Sequence, residues 1–287
     1  MEAIKIIECP RDAMQGIKTF IPTANKVIYV QSLLRVGFDT IDFGSFVSPK
    51  AIPQMQDTAE VLAQLDLSQT RSKLLAIIAN TQGAIAASQH HPIQYLGFPF
   101  SISENFQMRN THKTLSESLV TLQKILEIAY KSNKEVVVYL SMGFGNPYGD
   151  PWSIEIVGDW TEKLSNMGVK ILSLSDTVGR STPDVIQYLF SHLIPKYPKI
   201  EFGAHLHTTS DKWFEKIDAA YKAGCRRFDG AIQGFGGCPM ARDVLTGNMP
   251  TEKLVSYFTS KKENTNISAM SFESSYNEAS KLFTAFH

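Results

Sequence analysis

Two histidines separated by one residue, His205 and His207 in the stretch GAHLHTT, close an apolar run. Side chains on a strand alternate between faces, so positions i and i+2 point the same way and two imidazoles can reach one ion. A carboxylate from elsewhere would complete a mixed nitrogen and oxygen site. Such a donor set suits Zn, Mn, Fe or Co, and Mg where water and substrate oxygens fill the shell. An isolated pair of this kind more often serves hydrogen bonding within polar surroundings. Asp12 shifts that balance, because with Arg11 it ends another apolar run, in IKIIECPRDAMQG at 4–16. An Asp there can simply cap a turn, and the Arg can form a structural ion pair. Together they also supply a metal ligand and a fixed cation for a developing oxyanion.

Three further residues stand at comparable places. Asp42 lies in one apolar run and Asp176 directly follows another. Cys238 sits in GFGGCPMA at 234–241, where glycines allow close backbone approach and Pro239 fixes the turn. A thiol there can donate or accept a proton; the alternative is a small buried hydrophobe. Cys9 and Cys225 fall inside strand-like runs and are expected in the core. The glycine-rich MGFGNPYGD at 142–150 lacks dinucleotide spacing and reads as a loop.

Residues scattered over this length need a scaffold that gathers them. Short β-branched runs at 3–9, 40–46, 73–79, 93–98, 135–141, 169–175, 200–206 and 225–231 predict strands. Helical patterns fall between them, at 23–37, 53–66, 114–133, 151–168, 182–197 and 210–224. Thr114 with Glu117 predicts a capping box, and Ser210 and Gly224 predict the ends of the last of these helices. Eight such strands alternating with helices predict an α/β fold, a (β/α)8 TIM barrel, with extra C-terminal helices over 251–287. A doubly wound sheet is the alternative. No linker or second core is visible, so residues 1–287 read as one domain. In a barrel the chemistry belongs at the C-terminal ends of the strands, which is where the candidates fall.

Composition narrows the class. Lys+Arg and Asp+Glu both number 28, which leaves no basic excess for a nucleic-acid partner. No apolar run approaches the ~20 residues of a membrane span. Three cysteines without framework spacing point to a reducing compartment. The start of the chain has no signal-peptide pattern. The expectation is a soluble cytoplasmic protein with no membrane partner.

With these residues in place, the chain resembles the 3-hydroxy-3-methylglutaryl-CoA lyases, within a wider group of metal-dependent barrel lyases and Claisen-type synthases. The likeness runs through RDAMQG, SFVSPKAIPQM (45–55), SLSDTVGRSTP (173–183), GAHLHTT (203–209), GGCPMA (236–241) and GN (247–248). SFVSPK and GGCP are its most specific pieces. The resemblance implies a divalent cation, Mg or Mn, held by Asp12, His205, His207 and Asn248. It implies that Arg11 stabilises an enolate and that Cys238 acts in proton transfer, with His205 a candidate proton shuttle. Asp42 stands where the family carries a Glu near the metal, and Asp176 matches an acidic residue needed at the site. Gln15 and Ser45 become candidate substrate neighbours. The implied substrate is an acyl-CoA, 3-hydroxy-3-methylglutaryl-CoA, and the implied assembly a homodimer. Lys50, Arg109 and Lys113 are the candidate cations for CoA phosphates. The pattern departs at Thr208, where the family has Asp, at Asn146 in place of a cysteine, and at Val137 in place of an arginine. Alternative activities are a related lyase or aldolase on another hydroxy-acyl-CoA or hydroxy acid, a Claisen-condensing synthase, and a barrel without catalysis.

Overall fold

Eight strands close into a parallel barrel in the computed structural model, which describes residues 3–237 and 246–286. The strands β1 (Lys5–Glu8), β2 (Thr40–Ser45), β3 (Lys73–Ile77), β4 (Ile93–Ser101), β5 (Glu135–Ser141), β6 (Ile171–Ser175) and β7 (Glu201–His205) pair in sequence order. A two-residue strand, β8 (His207–Thr208), follows outside the ring. Then β9 (Arg227–Gly230) pairs parallel with both β7 and β1 and closes it. A last short strand, β10 (Gly247–Asn248), pairs antiparallel with β8. Closure excludes the doubly wound sheet, and each of the eight expected strands appears.

Period-2 alternation sorts the side chains. Leu75, Ile77, Tyr95, Val137, Tyr139 and Ile171 form a cluster inside the barrel. Their neighbours along the same strands, such as Leu74, Leu96, Val138 and Leu172, join the larger core beneath the helices.

The helices are α1 (Pro10–Gln15), α2 (Thr23–Leu33), α3 (Thr58–Ala63), α4 (Thr81–Ser88), α5 (Glu104–Thr111), α6 (Leu115–Lys131), α7 (Ile154–Asn166), α8 (Pro183–Lys196), α9 (Trp213–Lys222), α10 (Thr251–Ser260) and α11 (Ala269–Phe286). The capping box expected at α6 is formed: Thr114 Oγ1 accepts from Glu117 N, and the Glu117 carboxylate accepts from Thr114 N. The two C-terminal helices pack outside the closure seam, through Phe228 against Phe258 and Tyr29 against Phe283.

Three expectations differ. The helix expected over 53–66 is split into a 3₁₀ turn, Pro53–Met55, and α3. Gln54 is the reason: its Oε1 accepts from Ile21 N at 2.9 Å, and its Nε2 donates to the carbonyls of Ile17 and Thr19. Lys26 adds bonds to the Gln54 carbonyl and, at 2.6 Å, to Asp57. These tertiary bonds pin the segment and override its helical pattern. α9 starts at Trp213 rather than beside Ser210, because Asp211 accepts from Thr209 Oγ1 at 2.6 Å and holds the chain in a turn. α1, α4 and α5 are too short to show a helical period in the sequence. Among the described residues, no helix is long and apolar enough to cross a membrane.

Candidate metal centre and active site

α1 follows β1 directly, and its first turn carries both Arg11 and Asp12. Pro10 starts it with a preset φ, and an acidic side chain near a helix N-terminus meets unpaired N–H groups favourably. Arg11 is buried and almost fully committed. Its Nε and Nη2 grip Asp42, at 3.0 and 2.5 Å from Oδ2, and its Nη1 donates to Asp12 Oδ1 at 3.0 Å and to Gln15 Oε1 at 2.9 Å. Gln15 Nε2 also donates to Asp12 Oδ1, at 2.6 Å. One Nη2 hydrogen of the guanidinium remains for a ligand oxygen. Burial pushes the Asp42 carboxyl up to about 6 against the pull of Arg11. Asp42 therefore orients Arg11. Asp12 moves the other way: burial raises it, but Arg11, both histidines and Asn248 together hold it below the usual aspartate value.

His205 ends β7, and His207 opens β8. In the β8–β10 pair His207 lies opposite Asn248, so a two-residue ladder delivers Asn248 to the same place. Asn248 Nδ2 donates to Asp12 Oδ2 at 2.7 Å and to the Phe235 carbonyl at 2.9 Å, which leaves its Oδ1 as the remaining donor atom. Ligand atoms of Asp12, His205 and His207 lie within 4.8 Å of one another. His207 is buried, and its Nδ1 has no hydrogen-bond partner among the described residues. Burial and then His205 push its pKa down to about 4, so it stays neutral, as a ligand must. For His205 burial works downward, but the hydrogen bond and charge of Asp229 outweigh it and raise the pKa. One carboxylate, two imidazoles and an amide oxygen make a donor set fit for a divalent cation, and the orphaned imidazole nitrogen gives that fit a physical motive.

Asp176 follows β6 and is tied on both oxygens. It accepts from Ser181 N at 3.1 Å, from the Ser181 hydroxyl, and from Lys216 Nζ at 3.0 Å. Lys216 donates as well to the His207 carbonyl at 2.7 Å. The Asp176–Lys216 pair thus anchors the backbone of His207. Lys216 and Asp229 belong to this neighbourhood and were not singled out from sequence. A lysine on the buried face of α9 and a carboxylate inside an apolar strand run were the available signals.

Ser45 ends β2 and lines a cavity of about 520 Å³ with Phe46, Ser48, Met55 and Asn80. None of Asp12, His205, His207 or Asn248 lines that cavity. Arg109 packs over the Tyr148 ring at 4.8 Å, and Lys113 donates to Thr121 at 2.8 Å. Asn146 builds its own loop, accepting from Tyr148 N and Asp150 N. Cys238 lies outside the described residues. The chain leading to it passes close to the centre: Gly236 has φ +86, and a Cβ there would sit 2.5 Å from the Asp12 carbonyl oxygen.

A family model described as HMGL-like matches residues 3–277. The chain belongs to the HMGL-like family. Relatives in this family carry informative names. The hydroxymethylglutaryl-CoA lyase of Bacillus subtilis is 32% identical over 246 residues, covering 86% of this chain and 81% of that protein. A Pseudomonas aeruginosa relative named 3-hydroxy-3-isohexenylglutaryl-CoA/hydroxy-methylglutaryl-CoA lyase is 31% identical, covering 88% of this chain and 83% of its own. Among solved structures, an HMG-CoA lyase from Acinetobacter baumannii in complex with coenzyme A and 3-methylmalate superposes with a TM-score of 0.89 at 28% identity. It covers 98% of this chain and 91% of that one.

Proposed function

We propose that this protein is a divalent-metal-dependent carbon–carbon lyase that cleaves 3-hydroxy-3-methylglutaryl-CoA to acetoacetate and acetyl-CoA. The observation that carries the reading is the Asp12, His205 and His207 cluster at the C-terminal end of the barrel, in a chain whose family relatives are named for that activity. Asp12, His205, His207 and the Asn248 amide oxygen would hold the cation, with Mg or Mn our reading from the family likeness. When bound, the cation would supply Lewis-acid chemistry that acidifies the substrate's hydroxyl.

The residues of the chain supply the rest. The tertiary hydroxyl loses its proton to a base, for which His205 is our assignment, with Nε2 acting as base when it is not serving as a ligand, since Nδ1 faces Asp229. The C2–C3 bond then breaks, C3 becomes the ketone of acetoacetate, and the electron pair moves onto the thioester as an enolate. Arg11, fixed by Asp42, Asp12 and Gln15, offers its free Nη2 hydrogen to the enolate oxygen. Cys238 protonates the enolate carbon, giving acetyl-CoA. The proton on His205 and the one missing from Cys238 balance through solvent after release. Asp176 keeps His207 in register, and Gln15 and Ser45 are our candidate substrate neighbours. We read the partner as an acyl-CoA and the protein as a cytoplasmic homodimer, on the family likeness.

The test is direct. Purified protein with 3-hydroxy-3-methylglutaryl-CoA and Mg²⁺ or Mn²⁺ should release acetoacetate and acetyl-CoA in equal amounts. No release from protein that binds the cation would overturn the substrate while leaving the metal centre. The isohexenyl-substituted analogue is the first alternative substrate to try, because a relative is named for both.

A further inference from the structure

Below the proposed cation site the barrel interior carries polar groups beside its apolar cluster. Asp229 on β9 points inward, since its neighbour Phe228 faces outward against Phe258. Its Oδ2 lies 3.1 Å from His205 Nδ1, and its side chain is only 1% exposed. Its Oδ1 is buried without a hydrogen-bond partner among the described residues. Arg227 shares that inward face two residues earlier, and its Nε and Nη2 are buried and unpartnered too, as are Tyr139 Oη and Ser173 Oγ. The His205 ring stands edge-on to Tyr139, with centroids 5.6 Å apart and planes at 80°. Asp229 and Tyr139 therefore fix both the direction and the plane of the imidazole.

An ionised carboxylate can only accept, so this contact requires the hydrogen on Nδ1 and leaves a lone pair on Nε2. Nε2 is then the nitrogen available to the cluster with Asp12 and His207. Metal-bound histidines are commonly oriented by such an outer partner.

We propose that Asp229 is a positioning residue of the centre: by accepting the Nδ1 hydrogen of His205 it sets the tautomer that presents the Nε2 lone pair to the site. This rests on the proposed metal-dependent reading only for what Nε2 meets. Cys9, His205 and Asp229 also place ligand atoms within 4.8 Å of one another. An ion held there would have to strip Nδ1 of its hydrogen, the opposite tautomer outcome.

Two measurements decide it. Nitrogen-15 NMR of the histidines in metal-free protein, at a pH where His205 is neutral, should find the hydrogen on Nδ1. In Asp229→Asn the acceptor-only carboxylate becomes an amide that can present its NH₂ to His205, so the hydrogen is no longer held on Nδ1 and Nε2 can carry it. Calorimetric Mn²⁺ affinity should then fall about 10- to 100-fold. A hydrogen on Nε2 in the unsubstituted protein, or unchanged Mn²⁺ affinity in a folded Asp229→Asn, overturns the proposal. Should that variant fail to fold, the tautomer of the unsubstituted protein decides alone. Should the unsubstituted protein take up no Mn²⁺, the metal-dependent reading fails, while the tautomer still decides the role of Asp229.

Discussion

Asn248 Nδ2 donates to Asp12 Oδ2 at 2.7 Å, a bond between residues 236 positions apart in the sequence. It crosses the seam where the barrel closes, for β1 pairs with β9 over four residue pairs, from Lys5 opposite Arg227 to Glu8 opposite Gly230. The candidate ligands are therefore assembled only once the two ends of the chain have met.

That linkage makes cation binding a stability measurement. A ligand that binds only the folded form at 100 times its Kd contributes about 2.7 kcal/mol. Saturating Mn²⁺ should raise the Tm by several degrees. His207→Ala and Asp12→Asn should each remove the shift, because the first takes a donor and the second the anionic charge from a site assembled from four elements. A full shift in either variant would show that the residue is not a ligand.

Legibility in the sequence followed the range of the interaction. The strands were readable because each is a short run of apolar and β-branched residues, and Thr114 with Glu117 announced a local cap. His205 and His207 were visible as a pair because period 2 is a local property. Asn248 was not visible on physical grounds, since its place depends on the antiparallel β8–β10 pair, whose register no local pattern encodes. The same holds for Lys216, which reaches Asp176 over 40 residues, and for Gln54, which breaks its helix to satisfy a loop more than 30 residues earlier. Asp229 hid inside a strand run because an inward carboxylate looks, in sequence, like an interruption of the core.

Cation affinity should fall with acid, and His205 should set where. His207 stays neutral down to about 4, whereas Asp229 raises the His205 pKa above 6.5. A cation must displace the second His205 proton, so affinity is full above that raised pKa and drops about tenfold per pH unit below it. Mn²⁺ titrations from pH 5 to 9 should bend on the alkaline side of 6.5. A flat profile down to pH 5 would remove His205 from the ligand set.

The role proposed for Cys238 allows chemistry to be separated from binding. Cys238→Ala should lower kcat by about 100-fold or more, in line with loss of a general acid, with Mn²⁺ affinity and Tm unchanged. Single-turnover mixing should show the same loss, placing it before product release. Equal turnover in the variant would assign enolate protonation to another group.

Glu8 carries a test that is independent of the reaction. It is fully buried on β1, where its Oε1 accepts from Ile232 N at 2.9 Å and its Oε2 from Thr251 Oγ1 at 2.6 Å. Burial is the main cause that raises its pKa from 4.5 to about 8, against the pull of those two bonds. The folded value exceeds the unfolded one, so folding takes up a proton between them. The corresponding stability is whole below 4.5 and is lost as pH rises to 8, a loss of about 3 kcal/mol by pH 7. Glu8→Gln reproduces the protonated form: its carbonyl accepts from Ile232 N and its NH₂ donates to Thr251 Oγ1 once that hydroxyl turns. The variant should therefore gain on the unsubstituted protein steadily from pH 5 to 8 in denaturant unfolding. Parallel stability curves across that range would mean that Glu8 is ionised in the fold and held by its two donors alone.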